Sequence, residues 1–177
     1  IQLQTAFGDG KTHTMLAVMH LANRKVSTDK LQGIPPILDE AGISELPIAK
    51  TAVLDGINLS VSQGKQHGSI CANTLWGELA WQLMGEEGYS MVSASDSDGT
   101  APAKDILANI LQQAAPCVVL IDELQKFFSD LTPGAQLNAG TYEANLKFIQ
   151  ALTEAFKTVP NAILLASLPE SETEVGD

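Results

Sequence analysis

Positive charge is scarce in this chain. Its 177 residues carry ten lysines and arginines against 21 acids, a net charge of −11, with no block of basic residues anywhere. A surface that neutralises a phosphate backbone needs such a block, so nucleic acid, if it is engaged at all, is not held through the charge of this stretch. Cysteine is nearly missing too: Cys71 and Cys117 stand alone, Cys117 inside an apolar run. With no signal peptide and no long apolar span, the expectation is a reducing cytoplasm, with neither membrane nor secretion indicated. Charged residues of both signs reach only 18%, where about 25% is usual, while apolar residues make up 45%. That deficit predicts a piece of a larger protein, with faces meant to be covered. The length predicts one domain over 1–177 with a single substantial core.

What is present alternates. "IQLQT" reads as a short strand running into a glycine loop, and Thr12 to about Ala22 reads as a helix with Met15, Leu16, Val18, Met19 and Leu21 at helical spacing. "GIPPILDEAG" holds a short helix started by Pro36 and ended by Gly42, followed by a second strand in "TAVLDGINLSV". Thr74 to Gly85 is an amphipathic helix with a glycine at its end, and the Ser-, Asp- and Gly-rich stretch Glu86 to Gly99 reads as a surface loop. A helix in "APAKDILANILQQAA" leads into the apolar, β-branched "CVVLIDE", and a helix from about Tyr142 to Thr158 leads into "AILLAS". Strands alternating with helices predict an α/β fold: a parallel sheet with helices on both faces, in three layers.

Two of these junctions carry chemistry. A loop that cradles phosphate needs small residues so that backbone N–H groups turn inward, a lysine for the β and γ phosphates, and a hydroxyl for magnesium at the first turn of a helix. Phe7, Gly8, Asp9, Gly10, Lys11, Thr12 and His13 supply that segment, although Thr5 stands where the pattern G-x-x-x-x-G-K-[ST] has its first glycine. Thr5 is expected to cost about 1 kcal/mol of backbone strain without removing a phosphate contact. The plainer alternative is a glycine turn that caps a helix by chance. At the end of "CVVLIDEL", Asp122 is expected to hold magnesium together with Thr12, and Glu123 to accept a proton from an attacking water. An apolar strand that merely leaves the core into two acids is the plainer reading there, and its pairing with the glycine loop about 110 residues earlier argues against it.

Other residues weigh less. Ser167, ending the last apolar strand, is a candidate to present a hydroxyl to the γ phosphate or the attacking water, or simply a small residue at a strand end. Asp55 in "AVLDGI" reads chiefly as an Asp-Gly turn and secondarily as a residue orienting the magnesium shell. His67 and Cys71 are spaced like two metal ligands, but no further ligands cluster with them. The side chains of His13 and His20 read as helix surface or packing, Trp76 and Trp81 as core or helix interface, and Gly64-Lys65 lacks the glycines of a second phosphate loop. There is no N-K-x-D guanine-reading motif, and Gln125 stands where D-x-x-G needs glycine, which favours ATP over GTP.

The segments "AFGDGKTHT", "VVLIDEL" and "ILLASLP" resemble the Walker A, Walker B and sensor-1 elements of an AAA+-type P-loop ATPase of the additional-strand class. More narrowly, "LQTAFGDGKTHTMLA", "TLWGELAWQL", "APCVVLIDEL" and "QALTEAFK" together resemble a family of large prokaryotic ATPases described as a domain of unknown function, often encoded near DNA methyltransferases and helicases. The resemblance implies ATP and Mg²⁺ as ligands, Glu123, Lys11 and Ser167 as catalytic residues, and the sensor strand lying between the loop strand and the Walker B strand. It also implies an arginine finger from a neighbouring subunit or through self-association, because Arg24 is the only arginine and lies at the far end of the first helix. The helical lid and fifth strand of such ATPases are not found in this sequence and are expected beyond Asp177. The function so implied is Mg-dependent ATP hydrolysis coupled to conformational change; a nucleotide-gated scaffold that binds ATP and barely hydrolyses it is the rival, and a metabolic P-loop kinase a weaker third.

Overall fold

The computed structural model describes residues 1–5 and 10–169. Four parallel strands form its main sheet: β1 (Gln2–Thr5), β2 (Lys50–Asp55), β5 (Cys117–Asp122) and β6 (Ala162–Pro169), in the order β1-β6-β5-β2. β6 therefore lies between β1 and β5, the order expected from the resemblance. β5, sandwiched between two strands and two helical layers, is buried at every position, which is what its unbroken apolar run requires of a central parallel strand.

Alternate residues of the strands point to opposite faces, and each face has its own cover. On one side α1 (Lys11–Ala22) packs Met15, Val18, Met19 and Ala22 on Val118, Leu120 and Leu165. On the other, α3 (Leu75–Ser90), α5 (Lys104–Ala114) and α7 (Tyr142–Phe156) bury Trp76, Leu79, Ile110, Leu111, Phe148 and Leu152 against Leu54, Val119 and Ile121. This second cluster is the larger. Trp76 is fully enclosed and tilts against Phe148 at 5.6 Å between ring centres, so its reading as a core residue holds.

The second strand ends at Asp55 rather than continuing through Val61, because the Ile57, Asn58 and Leu59 N–H groups bond back to Asp55 and turn the chain at the sheet edge. Beyond it comes a hairpin that the pattern did not announce, β3 (Lys65–His67) paired antiparallel with β4 (Ile70–Ala72), its strands too short to show a period. His67 stacks on Trp81 at 4.9 Å and its Nε2 lies 2.6 Å from the Glu78 carboxylate, which also accepts from Lys65 and Gln82. Burial alone raises the Glu78 pKa, yet the bonds from Lys65, His67 and Gln82 together hold it below its ordinary value. His67 and Lys65 thus tie the hairpin to α3. Gln82 makes a further pair of bonds: its carboxamide accepts from the Val53 N–H at 2.7 Å and donates to the Val53 carbonyl at 2.8 Å along the outer edge of β2.

The expected loop from Glu86 to Gly99 is instead helical. Gly85, at a positive φ of 63° and a non-helical ψ of −143°, breaks α3 where a helix end was read, but the helix resumes to Ser90 and α4 (Ser93–Asp98) follows. The physical reason is Asp96, fully buried, whose carboxylate accepts from the backbone N–H groups of Asn73 and Thr74, from the Thr74 hydroxyl, the Asn73 amide and the Tyr89 hydroxyl. Polar residues that compete with the helix backbone in a free chain here bind the start of α3. Burial and the bond to Asp96 push the Tyr89 hydroxyl up to about 12.

Candidate functional site

The carboxyl ends of β5 and β6 and the first turn of α1 meet at one edge of the sheet. Gly10, left-handed at φ 80°, turns the chain into α1, and Lys11 and Thr12 open the helix. From that turn the Thr12 hydroxyl donates to Asp122 Oδ2 at 2.8 Å, across 110 residues of sequence. From β6 the Ser167 hydroxyl donates to the other oxygen, Asp122 Oδ1, which also accepts the Glu123 N–H at 3.1 Å. Asp122 and Ser167 are both buried. Two hydroxyls that the sequence singled out separately therefore share the carboxylate of Asp122, a third candidate. Ser167 faces Asp122 and lies 3.4 Å from the Glu123 amide, so its hydroxyl is engaged within the cluster.

Glu123 ends the strand abruptly. Its backbone is left-handed, φ 49° and ψ 32°, an arrangement that costs a residue with a Cβ about 1–3 kcal/mol and persists only where its surroundings enforce it. It starts α6 (Leu124–Asp130), a helix that periodicity left unread although Phe127 anchors it in the core. The Glu123 carboxylate accepts no hydrogen bond among the described residues.

Of the remaining residues, Phe7, Gly8 and Asp9 lie outside the described ones. His13 is exposed on the first turn of α1, and His20 is exposed further along. Asp55 pairs in register with Asp122, but its carboxylate is spent on its own turn, accepting from the Ile57 N–H at 2.9 Å and from the Asn58 amide. The turn reading of Asp55 is the one its bonds fit. Arg24 caps the other end of α1: its guanidinium donates to the carbonyls of Leu21, Leu46 and Pro47. A helix of 12 residues is about 18 Å long, so this arginine is a helix length away from Thr12.

A three-layer α/β domain with a hydroxyl from a helix start and a hydroxyl from a strand end converging on one strand-end carboxylate is the class that fold and site define. The chain belongs to the family described as the DUF499 N-terminal domain, whose model matches residues 1–177. No curated protein matches it. Among the described residues, no helix is long and apolar enough to cross a membrane.

Proposed function

We propose that this domain is the P-loop core of an AAA+-like ATPase that binds ATP with magnesium and hydrolyses it to drive a conformational change. The observation that carries the reading is the 2.8 Å bond between Thr12 and Asp122. A hydroxyl at a helix start and a carboxylate at a strand end are the hard-oxygen pair that a small divalent cation takes between protein and phosphate oxygens. Thr12 and Asp122 fit magnesium on those grounds and would hold it at that point. When bound, the ion neutralises charge on the β and γ phosphates. Lys11, in the same first turn, reaches for those phosphates, and the N–H groups at the start of α1 face the same side. Glu123, one residue past Asp122 and turned by its left-handed backbone, takes the proton of the attacking water; Ser167 fixes Asp122 and stands beside the Glu123 amide.

The decisive test is a calorimetric titration with ATP and magnesium. Lys11→Ala is expected to weaken binding by about tenfold or more, consistent with loss of a charge-assisted contact of 1.5–3 kcal/mol. Equal affinity in parent and variant would sink the phosphate-loop reading.

A second reading, a nucleotide-gated switch with little hydrolysis, is favoured by one observation: Arg24 is tied to backbone carbonyls at the far end of α1. An arginine that stabilises the transferring phosphoryl group is worth about 10³–10⁵ in rate. This 177-residue chain alone is therefore expected to bind ATP yet hydrolyse it very slowly, with the arginine coming from a neighbouring subunit. Brisk phosphate release by the purified chain, abolished in Glu123→Gln, would show that no outside arginine is needed.

A further inference from the structure

Gly56 follows Asp55 at the end of β2, and an Asp-Gly pair there suggests a glycine chosen for its turn conformation. Its backbone, however, is not among the left-handed glycines. What the position demands is space. A Cβ built on Gly56 would lie 2.1 Å from the carbonyl oxygen of Glu123, 2.8 Å from its carbonyl carbon and 3.2 Å from the Leu124 Cα. These are backbone atoms, which cannot swing aside as the tip of a side chain can. The Gly56 N–H also donates to the Asp122 carbonyl at 2.9 Å.

Both peptide groups flanking Glu123 are thus held by the same residue, the one before it by a hydrogen bond and the one after it by close contact. The other holds on Glu123 are its own N–H, bonded to Asp122 Oδ1 and near Ser167 Oγ, and its carbonyl, which accepts the Lys126 N–H at 2.9 Å. A left-handed glutamate needs such enforcement. The direction in which its Cα–Cβ bond leaves the sheet edge follows from these two peptide planes. A base must sit within hydrogen-bond reach of the water it deprotonates, and a displacement of about 1 Å can cost 10²-fold in rate.

We propose that Gly56 is a positioning residue for Glu123: the bare Cα lets the exit of β2 press against the Glu123 carbonyl and so aims the carboxylate at the reacting water. The assignment rests on the reading of Glu123 as the base. In it, the turn closed by Asp55 and Asn58 serves the neighbouring strand end more than its own.

The test is a double-mutant cycle in the full-length protein. Parent, Gly56→Ala, Glu123→Gln and the double variant are titrated with ATP and magnesium by calorimetry, then followed for phosphate release in a single turnover. Gly56→Ala is expected to bind within about threefold of the parent and to release phosphate about 10- to 100-fold more slowly, and its addition to Glu123→Gln is expected to cost no further rate, since a misplaced base and a missing base are the same loss. A Gly56 effect that acted only through general folding would multiply with the Glu123 effect. Such multiplication, or an unchanged rate in Gly56→Ala, overturns the assignment and leaves ATP hydrolysis standing. A parent that releases no phosphate overturns the proposed function, and the positioning role with it. Should Gly56→Ala fail to fold, Asp55→Ala, which removes the two side-chain bonds bracing the turn and keeps its backbone bonds, goes through the same cycle with an expected loss of about 3- to 10-fold.

Discussion

Glu123→Gln in the full-length protein is expected to bind ATP and magnesium nearly as the parent does while turnover falls by roughly 10²–10⁴. The change keeps the size of the side chain and removes only its basicity. The carboxylate takes no hydrogen bond among the described residues, so the amide has no bond there to break. Asp122→Asn is expected to behave differently, impairing binding and turnover together. Its oxygens accept the Thr12 and Ser167 hydroxyls and the Glu123 amide, and an amide in its place loses the charge and puts a donor where one of these donors points. Calorimetric titration with ATP and magnesium, followed by phosphate release, separates the two. If Glu123→Gln turned over ATP like the parent, Glu123 would not be the base and the switch reading would gain.

The largest effect on stability is expected at Asp96. Five donors converge on its carboxylate at the start of α3: two backbone amides, two hydroxyls and the Asn73 side-chain amide. Asp96→Ala leaves the buried Thr74 amide and hydroxyl without their acceptor and takes one from the half-buried donors of Asn73 and Tyr89, of which Tyr89 keeps a bond to the Cys71 carbonyl. At about 1–3 kcal/mol for each buried orphan, relaxed by rearrangement, the loss is expected to be about 3–5 kcal/mol. Chemical denaturation of parent and variant reads this directly. A loss under about 1 kcal/mol would mean that the donors find other partners.

Asp96 also marks where the sequence misled. A Ser- and Asp-rich stretch is normally a loop because its side chains bond to water and to their own backbone; nothing local reveals that one of those acids will be buried against Asn73 and Thr74, more than 20 positions earlier. The same limit hid β3 and β4, which exist through pairing with each other and through the His67 to Glu78 contact. Elements with a long apolar period or run were legible, among them β5, α5 and α7, because burial on a face leaves a regular trace. In the candidate site the residue types were legible at Thr12, Asp122 and Ser167, since each stands at a strand end or helix start. Their meeting on one carboxylate needed the strand order, and the role of Gly56 needed the distance to a backbone atom that no sequence pattern encodes.

The two bonds from Gln82 to Val53 bear on how wide this sheet can become. A carboxamide is chemically a peptide group on a tether, so at Val53 the outermost strand is already read as though a fifth strand lay beside it. Many proteins protect such a margin with charge, proline or a bulge. Here the helix supplies a decoy, held in place by its own Glu78, and a foreign strand could zip onto β2 only by first evicting it.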